Sequence, residues 1–162
     1  MDTRWLTPEQ LAAWVRLTAV LELLPAALDS QLRRDAQLTH FDYYVLAMLS
    51  EAPERTLRMT ALAERTTATL ARLSHVVARL EQRGLLERFP CPADRRATNA
   101  RLTADGWAKV QATAPGHVET VREYVVDALT PEQVTQLGEI TEAMLRRLDP
   151  DGLYRRYDPD SR

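Results

Sequence analysis

Hydrophobic residues recur at the helical period of 3.6 residues through most of the chain, with polar residues between them. The first stripe passes Pro25, which removes one backbone hydrogen bond and is expected to bend the helix. Its members are Leu11, Trp14, Leu17, Leu21, Leu24 and Leu28. The second stripe comprises Phe41, Val45, Leu46 and Leu49, and its helix ends at Ala52-Pro53. These stripes predict a mainly α-helical chain.

Threonines mark where the helices begin. Thr7 precedes Pro8 and Gln10, which is the pattern of an N-cap with a capping box, and Thr130 repeats it. Thr39 and Thr103 begin two further helices, the second of which is expected to be interrupted or kinked at Pro115-Gly116. Near the C-terminus the predicted apolar stripes are Val118, Val121, Val125 and Leu129, then Val134, Leu137, Ile140, Thr141, Met144 and Leu148.

The central segment reads as two helices joined by a tight turn. A short helix is predicted over 60–66, a polar turn over 66–69, and a second helix from about Leu70 to Arg83, which Gly84 ends. On the second helix an apolar stripe faces the core and comprises Leu70, Leu73, Val77 and Leu80. The opposite side exposes Ala71, His75, Ala78 and Gln82, flanked by Arg72, Arg79 and Arg83.

Two short extended runs follow, over 85–89 and 98–102. Between them Pro90, Pro92, Asp94, Arg95 and Arg96 form a stiff basic tip, so the two runs predict a β-hairpin. Two helices followed by a basic hairpin predict a winged helix-turn-helix. In that arrangement the second helix enters the major groove of DNA, and the hairpin contacts flanking phosphates or the minor groove.

Charge is concentrated in the same segment. The whole chain has 21 Lys and Arg against 23 Asp and Glu, a net charge of −2. From Arg65 to Arg101 there are eight arginines and three acidic residues, a local net of +5, which leaves −7 for the rest. A basic segment that coincides with this motif favours a nucleic-acid partner. Because Lys109 is the only lysine, a general preference for arginine is the alternative explanation.

The run RLSHVVARLEQRGLLER, followed by PCPADRRA and LTADG, resembles the MarR family of bacterial transcriptional regulators. The resemblance extends from about Pro8 to Leu148. It implies a cytoplasmic, sequence-specific regulator of double-stranded DNA, a repressor released by a small aromatic or phenolic ligand. The predicted fold is mainly α with a small β-hairpin wing, a winged helix-turn-helix flanked by N- and C-terminal dimerisation helices.

The helices at the two ends carry more apolar surface than one small winged helix can cover. We therefore expect a homodimer, which would place two reading helices about 34–36 Å apart on a pseudo-palindromic operator. A monomer whose helices close on themselves is the alternative. The predicted domain is 1–148, with the winged core at 38–103, dimerisation helices at 8–34 and 104–148, and a tail at 149–162, where solvated chain is favoured over Tyr154, Arg155, Arg156 and Tyr157 packing on a partner.

The predicted DNA-binding residues lie on the second helix and at the hairpin tip. Arg72 and His75 are assigned to base edges and Thr69 and Ser74 to phosphates, because the first turns of a reading helix enter deepest. Arg79 is assigned to backbone or base. At the tip, Arg95 is expected to enter the minor groove, and Arg96 to contact a phosphate or the protein itself. Asp94 is expected to hold one of the two arginines. The alternative is that both arginines are solvated. The full set is Thr69, Ala71, Arg72, Ser74, His75, Arg79, Arg95 and Arg96.

Effector binding is assigned from the family resemblance to a cleft between the dimerisation helices and the winged core. The candidate residues are Trp14, Tyr43, Tyr44 and Met48, for which core packing is an equal alternative. Two other functions stay open. One is a ligand-independent DNA-binding regulator, and the other is a winged-helix protein-interaction module with no operator.

No motif in the sequence indicates an enzyme, a cofactor or a metal site. His40, His75 and His117 have no metal-ligand spacing, and there is no phosphate-binding or nucleophile motif. Glu22 and Pro25 interrupt the most apolar run, so export and membrane insertion are not expected. The single cysteine, Cys91, fits a reducing compartment and is interpreted as a tolerated surface thiol rather than a redox sensor.

Overall fold

The computed structural model of the protein describes residues 3–152. Within this range the α-helices are α1 (Pro8–Ala36), α2 (His40–Ser50), α3 (Met59–Arg65), α4 (Leu70–Gln82), α5 (Ala104–Val121) and α6 (Pro131–Leu148). The strands are β1 (Thr56–Arg58), β2 (Leu86–Cys91) and β3 (Asp94–Leu102). A short 3-10 turn at Pro53–Arg55 precedes β1, and a π-helical turn at Arg122–Val126 follows α5. The predicted mainly helical winged fold is confirmed.

The helix starts follow the threonine pattern. Thr7, Thr39 and Thr130 each form the complete capping box, in which the threonine hydroxyl accepts from a backbone N–H and the side chain three residues on accepts from the threonine N–H. Thr103 caps α5 through the N–H of Gly106. These caps satisfy N–H groups that the first helical turn leaves without a partner. The predicted beginnings of all four helices are confirmed.

The hairpin is part of a three-stranded antiparallel sheet in the order β1-β3-β2. We predicted two strands; the third, β1, pairs Thr56 with Arg101 and Arg58 with Asn99. Both wing strands are also longer than predicted, and they run up to a two-residue tip at Pro92-Ala93. Pro90 is tolerated because β2 is an edge strand, and the register shifts between Pro90 and Cys91.

The hydrophobic core lies between the C-terminal part of α1, helices α2 to α4, the sheet and the beginning of α5. Its largest fully buried side chains are Leu32, Leu38, Leu46, Leu49, Leu62, Leu73, Leu80, Leu86, Val45 and Val77. Each such burial contributes roughly 1.5–3 kcal/mol. The expectation for Leu70 was wrong: it begins α4 beyond the edge of the core and is 48% exposed, whereas Val76 is buried. Phe41, also expected in the core, is only partly buried at its surface.

Helix α5 runs through Pro115 and Gly116 without the predicted interruption. The hydrogen bond that proline cannot make is lost within a helix that continues on both sides of it. The π-helical turn comes later, at Arg122–Val126, and separates α5 from α6. The predicted interruption at Pro115-Gly116 was therefore wrong, whereas the predicted beginning of a separate last helix after Thr130 is confirmed.

Both end helices expose apolar side chains. In α1 the buried residues lie only between Leu28 and Ala36, and in α6 no residue is buried. The mean hydropathy of α1 reaches 1.6 in its most apolar window, so by length and composition alone this helix could cross a membrane. The tail from 153 to 162, with the tyrosines and arginines considered above, lies outside the described residues.

Candidate nucleic-acid interface

Helix α4 presents its first two turns to solvent. Thr69 caps the helix, its hydroxyl accepting from the N–H of Arg72 at 3.2 Å. Ala71, Arg72 and His75 are exposed, and Ser74 is half-buried. The opposite face carries Leu73, Val76, Val77 and Leu80 into the core. The helix therefore offers a short polar surface with small residues between longer ones, which is a shape that fits the major groove.

The guanidinium of Arg72 is not directed freely into solvent. It lies over the ring of Phe41, with Cζ 4.1 Å from the ring centroid. This cation–π contact orients the side chain against α2 and uses the exposed part of Phe41. The partial exposure of Phe41, which the sequence pattern did not predict, thus has a partner on α4.

Arg79 forms an ion pair with Asp42 at the beginning of α2. The carboxylate is 3% exposed and the arginine side chain 51% exposed. One turn further on, Nη1 of Arg83 donates to the backbone carbonyl of Gln37 at 3.0 Å. The C-terminal half of α4 is therefore tied to the junction between α1 and α2.

Two other arginines of the basic segment are also paired. Arg88 lies 2.7 Å from Glu81, and Arg101 lies 2.6 Å from Glu87. Arg88 and Glu81 connect β2 to α4, and the pair lowers the pKa of Glu81 chiefly through the hydrogen bond from the Arg88 side chain. These two ion pairs neutralise Arg88 and Arg101 within the segment. Its net charge of +5 is carried by the other arginines, which include Arg72 on α4 and Arg95 and Arg96 at the wing tip.

At the tip, Arg95 and Arg96 are exposed, and within residues 3–152 neither forms an ion pair. We expected the Asp94 carboxylate to hold one guanidinium. Instead, Oδ1 of Asp94 accepts from the backbone N–H of Arg96 at 3.1 Å, which closes the turn itself. Both guanidinium groups are therefore left for a ligand.

Cys91 is not the surface thiol that we expected. It is buried, with 7% exposure, at the last position of β2, and its Sγ lies 3.6 Å from Nη2 of Arg58 on β1. Hydrogen bonds from the backbone of Ala93, and secondarily from Asp94 and Arg58, lower the pKa of the thiol against the effect of burial. The side chain packs the wing tip onto the neighbouring strands.

The four predicted effector residues do not share one setting. Trp14 is 54% exposed on α1, whereas Tyr43 is buried and Met48 packs against the core. The hydroxyl of Tyr44 donates to the carbonyl of Arg65 at 3.1 Å. An open cleft of about 460 Å³ lies elsewhere, lined by Ser50, Ala52, Glu54, Arg55, Arg101 and Leu102. The assignment of these four residues stays a prediction.

Tyr43, one of the predicted effector residues, meets polar residues that were not assigned to any site where α1, α2 and α5 converge. The ring of Tyr43 lies 4.7 Å from that of His117, and Gln31 lies against Gly116. Oε1 of Gln31 and Nδ1 of His117 are buried and have no hydrogen-bond partner among the described residues. No sequence spacing indicated this junction, because its members come from three helices. Among residues 3–152 no group of three or more His, Cys, Asp or Glu could hold a metal ion.

Comparison with known proteins gives a consistent result. A family model described as the MarR family matches residues 36–97. The transcriptional regulator HosA of Escherichia coli O111:H- is 32% identical over 108 residues, which cover 67% of this chain and 78% of HosA.

Solved structures extend the likeness over nearly the whole chain. Sco3205, a MarR family transcriptional regulator from Streptomyces coelicolor solved in complex with DNA, is 46% identical with a TM-score of 0.88, covering 92% of this chain and 93% of its own. AbsC, another MarR family regulator of that organism, is 37% identical with a TM-score of 0.85 over 90% and 98% of the two chains. Together with the capped reading helix and basic wing, these matches show that the protein belongs to the MarR family of transcriptional regulators.

Proposed function

We propose that this DNA-binding transcriptional regulator acts as a homodimer on a pseudo-palindromic operator, with α4 in the major groove and the wing tip on the flanking DNA. One observation carries the assignment. The first turns of α4 and the guanidinium groups of Arg95 and Arg96 are exposed without carboxylate partners in the described range, while the other wing arginines, Arg88 and Arg101, are neutralised. DNA in the Sco3205 complex supports the same partner for this chain.

Within α4 the division of roles follows depth in the groove. Arg72 and His75 are placed to reach base edges, and the small side chain of Ala71 lets the helix approach. Thr69 and Ser74 have hydroxyl groups suited to phosphate oxygens, with the exposed N-terminus of the helix adding a favourable dipole. Arg72 must leave the ring of Phe41 or reach past it. The cation–π contact with Phe41 keeps the Arg72 side chain ordered at the surface, and only this weak contact has to be broken when Arg72 reaches a base.

The dimer is supported by the exposed apolar faces of the end helices. The stripe on α6 is exposed along its length and comprises Val134, Leu137, Ile140, Met144 and Leu148. The first part of α1 exposes Leu11, Trp14, Val15, Val20, Leu21 and Leu23, preceded by Trp5 and Leu6. An apolar surface of this extent on a chain of 162 residues needs cover.

We assign that cover to a second copy and not to a lipid bilayer. Arg16 and Glu22 lie inside the apolar part of α1, and a charge at the centre of a bilayer costs about 2.5–3.5 kcal/mol. The α6 stripe has polar residues on the rest of its circumference, as an interface helix does. We propose accordingly that the domain 1–148 dimerises through the helices within 8–34 and 104–148 and works in the cytoplasm.

We propose that an effector acts at the junction of α1, α2 and α5. The support is the pair of buried polar atoms without partners, Oε1 of Gln31 and Nδ1 of His117, beside the ring of Tyr43. A small aromatic or phenolic molecule could satisfy both atoms and stack on the tyrosine. The proposed outcome is release of a repressor from its operator, without catalysis by the protein.

Selection of bound duplexes from a random pool tests this function. We expect enrichment of a two-half-site sequence, with affinity that falls steeply as salt rises. Arg72→Ala should lose about 1–3 kcal/mol and relax preference at one base position of each half-site. As a matched control, Arg34→Ala removes an exposed arginine at the end of α1 and should keep both preference and affinity.

Three outcomes would each contradict a part of the proposal. No enrichment, together with salt-independent binding, would favour a protein-interaction module, and enrichment of single half-sites would contradict the dimer. Operator binding that no phenolic ligand weakens would favour the ligand-independent regulator.

A further inference from the structure

Helix α4 has one polar attachment that reaches a buried group of another helix. Nη2 of Arg79 meets Oδ1 of Asp42, whose side chain is almost fully buried, whereas the arginine side chain is half exposed. A carboxylate without water needs a counter-charge or hydrogen bonds, because removing one partner of a buried pair leaves an uncompensated charge. Among the described residues, Arg79 is the cation that forms an ion pair with Asp42.

The second oxygen of Asp42 is also used. Oδ2 accepts from the N–H of Thr39 at 2.9 Å, while the N–H of Asp42 donates to the hydroxyl of Thr39 at 2.9 Å. The carboxylate is therefore fixed at the first turn of α2 before Arg79 reaches it. An ion pair with one rigid partner costs little additional side-chain entropy and defines a direction for the other partner.

The start of α2 is in turn fixed to α1. Oδ1 of Asp29 accepts from the N–H of His40 at 2.8 Å, and its Oδ2 pairs with Arg33 at 2.5 Å. Arg83, one turn after Arg79, donates to the carbonyl of Gln37 in the same junction. The backbone around Asp42 is thus held in place by the end of α1 as well as by α2.

We propose that Arg79 is a positioning residue, which with Asp42 sets the rotation and depth of α4, and that it does not read DNA. The inference rests on the proposed function and replaces the DNA contact that the sequence analysis assigned to Arg79. Arg79 lies seven residues after Arg72, about 10 Å along the helix axis. An ion pair at this distance limits how far the first two turns of α4 can move. The contacts with base edges are then made by Arg72 and His75.

The two roles predict opposite results for Asp42→Asn. If Arg79 contacts DNA, removing the carboxylate frees its guanidinium and removes a negative charge, so affinity should rise. If Arg79 positions α4, then Asp42→Asn and Arg79→Gln should each lower the ratio of operator to non-specific affinity by about fivefold or more, the equivalent of one misread base pair. Asparagine keeps an oxygen for the N–H of Thr39, so the cap of α2 is retained.

The measurement is fluorescence anisotropy with an operator duplex and a scrambled duplex over a range of salt, below the melting temperature of every variant. The double variant should be no worse than either single one, since both remove the same contact. The slope of affinity against salt should stay at the wild-type value. Arg88→Gln is the matched control, because it breaks the ion pair of Arg88 with Glu81 on the same helix and should preserve the affinity ratio.

Hydrogen exchange without DNA provides the second arm. Amides of residues 70–82 should exchange faster in Asp42→Asn and Arg79→Gln than in Arg88→Gln. A salt slope lowered by about 0.9 in Arg79→Gln, with tighter binding by Asp42→Asn, would overturn the inference in favour of a phosphate contact. So would an unchanged affinity ratio with only a lower melting temperature.

The exchange arm also separates this inference from the proposed function. If the wild-type protein bound no duplex selectively, the proposed function would fail. Faster exchange confined to α4 would then still support the positioning role, and unchanged exchange would overturn it.

Discussion

Gly106 occupies a position where the chain leaves no room for a side chain. A Cβ built there would lie 1.8 Å from the carbonyl oxygen of Leu85 and 2.8 Å from its carbonyl carbon. The same oxygen accepts from the N–H of Thr103 at 3.2 Å, and the N–H of Gly106 donates to the Thr103 hydroxyl at 3.0 Å. The glycine of the LTADG motif is therefore required because α5 begins against the backbone that follows α4.

Gly106→Ala should destabilise the fold by about 1–3 kcal/mol or more, because backbone atoms at this distance must shift. Gly138→Ala is the matched control in α6, where a Cβ meets nothing within 4 Å. Since glycine within a helix costs roughly 0.5–1 kcal/mol relative to alanine, that change should stabilise the monomer fold. Chemical denaturation of the two variants measures both signs, and equal stabilities would contradict the close approach.

Arg95 allows a test of the wing at the scale of one side chain. In the minor groove a guanidinium sheds water more easily than an ammonium, so Arg95→Lys should itself weaken binding, and more for duplexes with A·T-rich flanks. If Arg95 contributes only general charge, the lysine variant should bind like wild type. Arg95→Ala should then weaken all duplexes alike and lower the salt slope by about one. Titration of duplexes that differ only in their flanks decides between the two.

At the scale of helices and strands, local chemistry in the sequence predicted beginnings and ends well. Thr7, Thr39, Thr103 and Thr130 each begin a helix, and Gly84 ends α4 with a positive φ of 73°. These signals act within four residues, so a sequence shows them. Strand β1 was missed because three residues after a turn have no periodicity, and their pairing with β3 depends on chain 40 or more residues away.

The candidate site was predictable in position but not in detail, for the same reason. The spacing on α4 and the adjacent arginines of the wing tip predicted which side chains are exposed, and Arg72, His75, Arg95 and Arg96 are exposed in the fold; their contact with DNA stays a prediction. The periodicity could not show that Arg79 meets a buried carboxylate on α2, or that Cys91 packs against Arg58. Both contacts join residues more than 30 positions apart, so only the packed fold brings them together.

The junction of α1, α2 and α5 is expected to respond to pH. Burial lowers the pKa of His117 below its ordinary value of 6.5, with a further lowering from His40. Burial also lowers the pKa of His40, although Asp29 opposes this. The unfolded chain therefore binds more protons than the fold just below pH 6.5, so the free energy of unfolding should fall as pH drops through that value.

His117→Phe tests this junction, because phenylalanine keeps a ring beside Tyr43 and cannot be protonated. Between pH 6.5 and 5 the free energy of unfolding should fall less in the variant than in the wild type. Near pH 8, where both histidines are neutral, the free energy of unfolding of either protein should no longer change with pH through these groups. Asp29 and Asp35 do not interfere, since their pKa values are lowered from 3.8 and their stabilising effect is lost only at more acid pH. If the free energy of unfolding, measured by urea denaturation at each pH, fell as steeply in His117→Phe as in the wild type, His117 would not be the source of the pH dependence.

At the scale of the whole molecule, one part of the chain buries its large apolar side chains and another part leaves them exposed. The winged core, with α2 to α4 and the sheet, buries its large side chains. Helix α6 and the first two-thirds of α1 bury almost none. Both helices begin with a complete capping box, so their exposed apolar stripes belong to well-formed helices, and we propose these stripes as the dimer surface.

The dimer can be tested with one charge on that surface. Ile140, at the centre of the α6 stripe, is about half exposed in the single chain, so Ile140→Glu leaves the winged core intact. In a dimer the glutamate would have to be buried without a partner, a cost that no other change in the variant offsets. We expect sedimentation to show a monomer at concentrations where the wild type is a dimer. Thr135→Glu adds the same charge on the opposite, exposed face of α6 and should remain dimeric.

The same two variants connect assembly to DNA binding. If two reading helices must bind half-sites about one helical turn apart, the Ile140→Glu monomer should lose protection of a two-half-site duplex. It should keep weak binding that no longer depends on the spacing of the half-sites, since α4 and the wing are unchanged. Inserting half a turn of DNA, about five base pairs, between the half-sites should weaken binding by Thr135→Glu and by the wild type alike. An Ile140→Glu protein that stayed dimeric would place the interface on another surface, and a monomeric wild type with spacing-dependent binding would exclude this geometry.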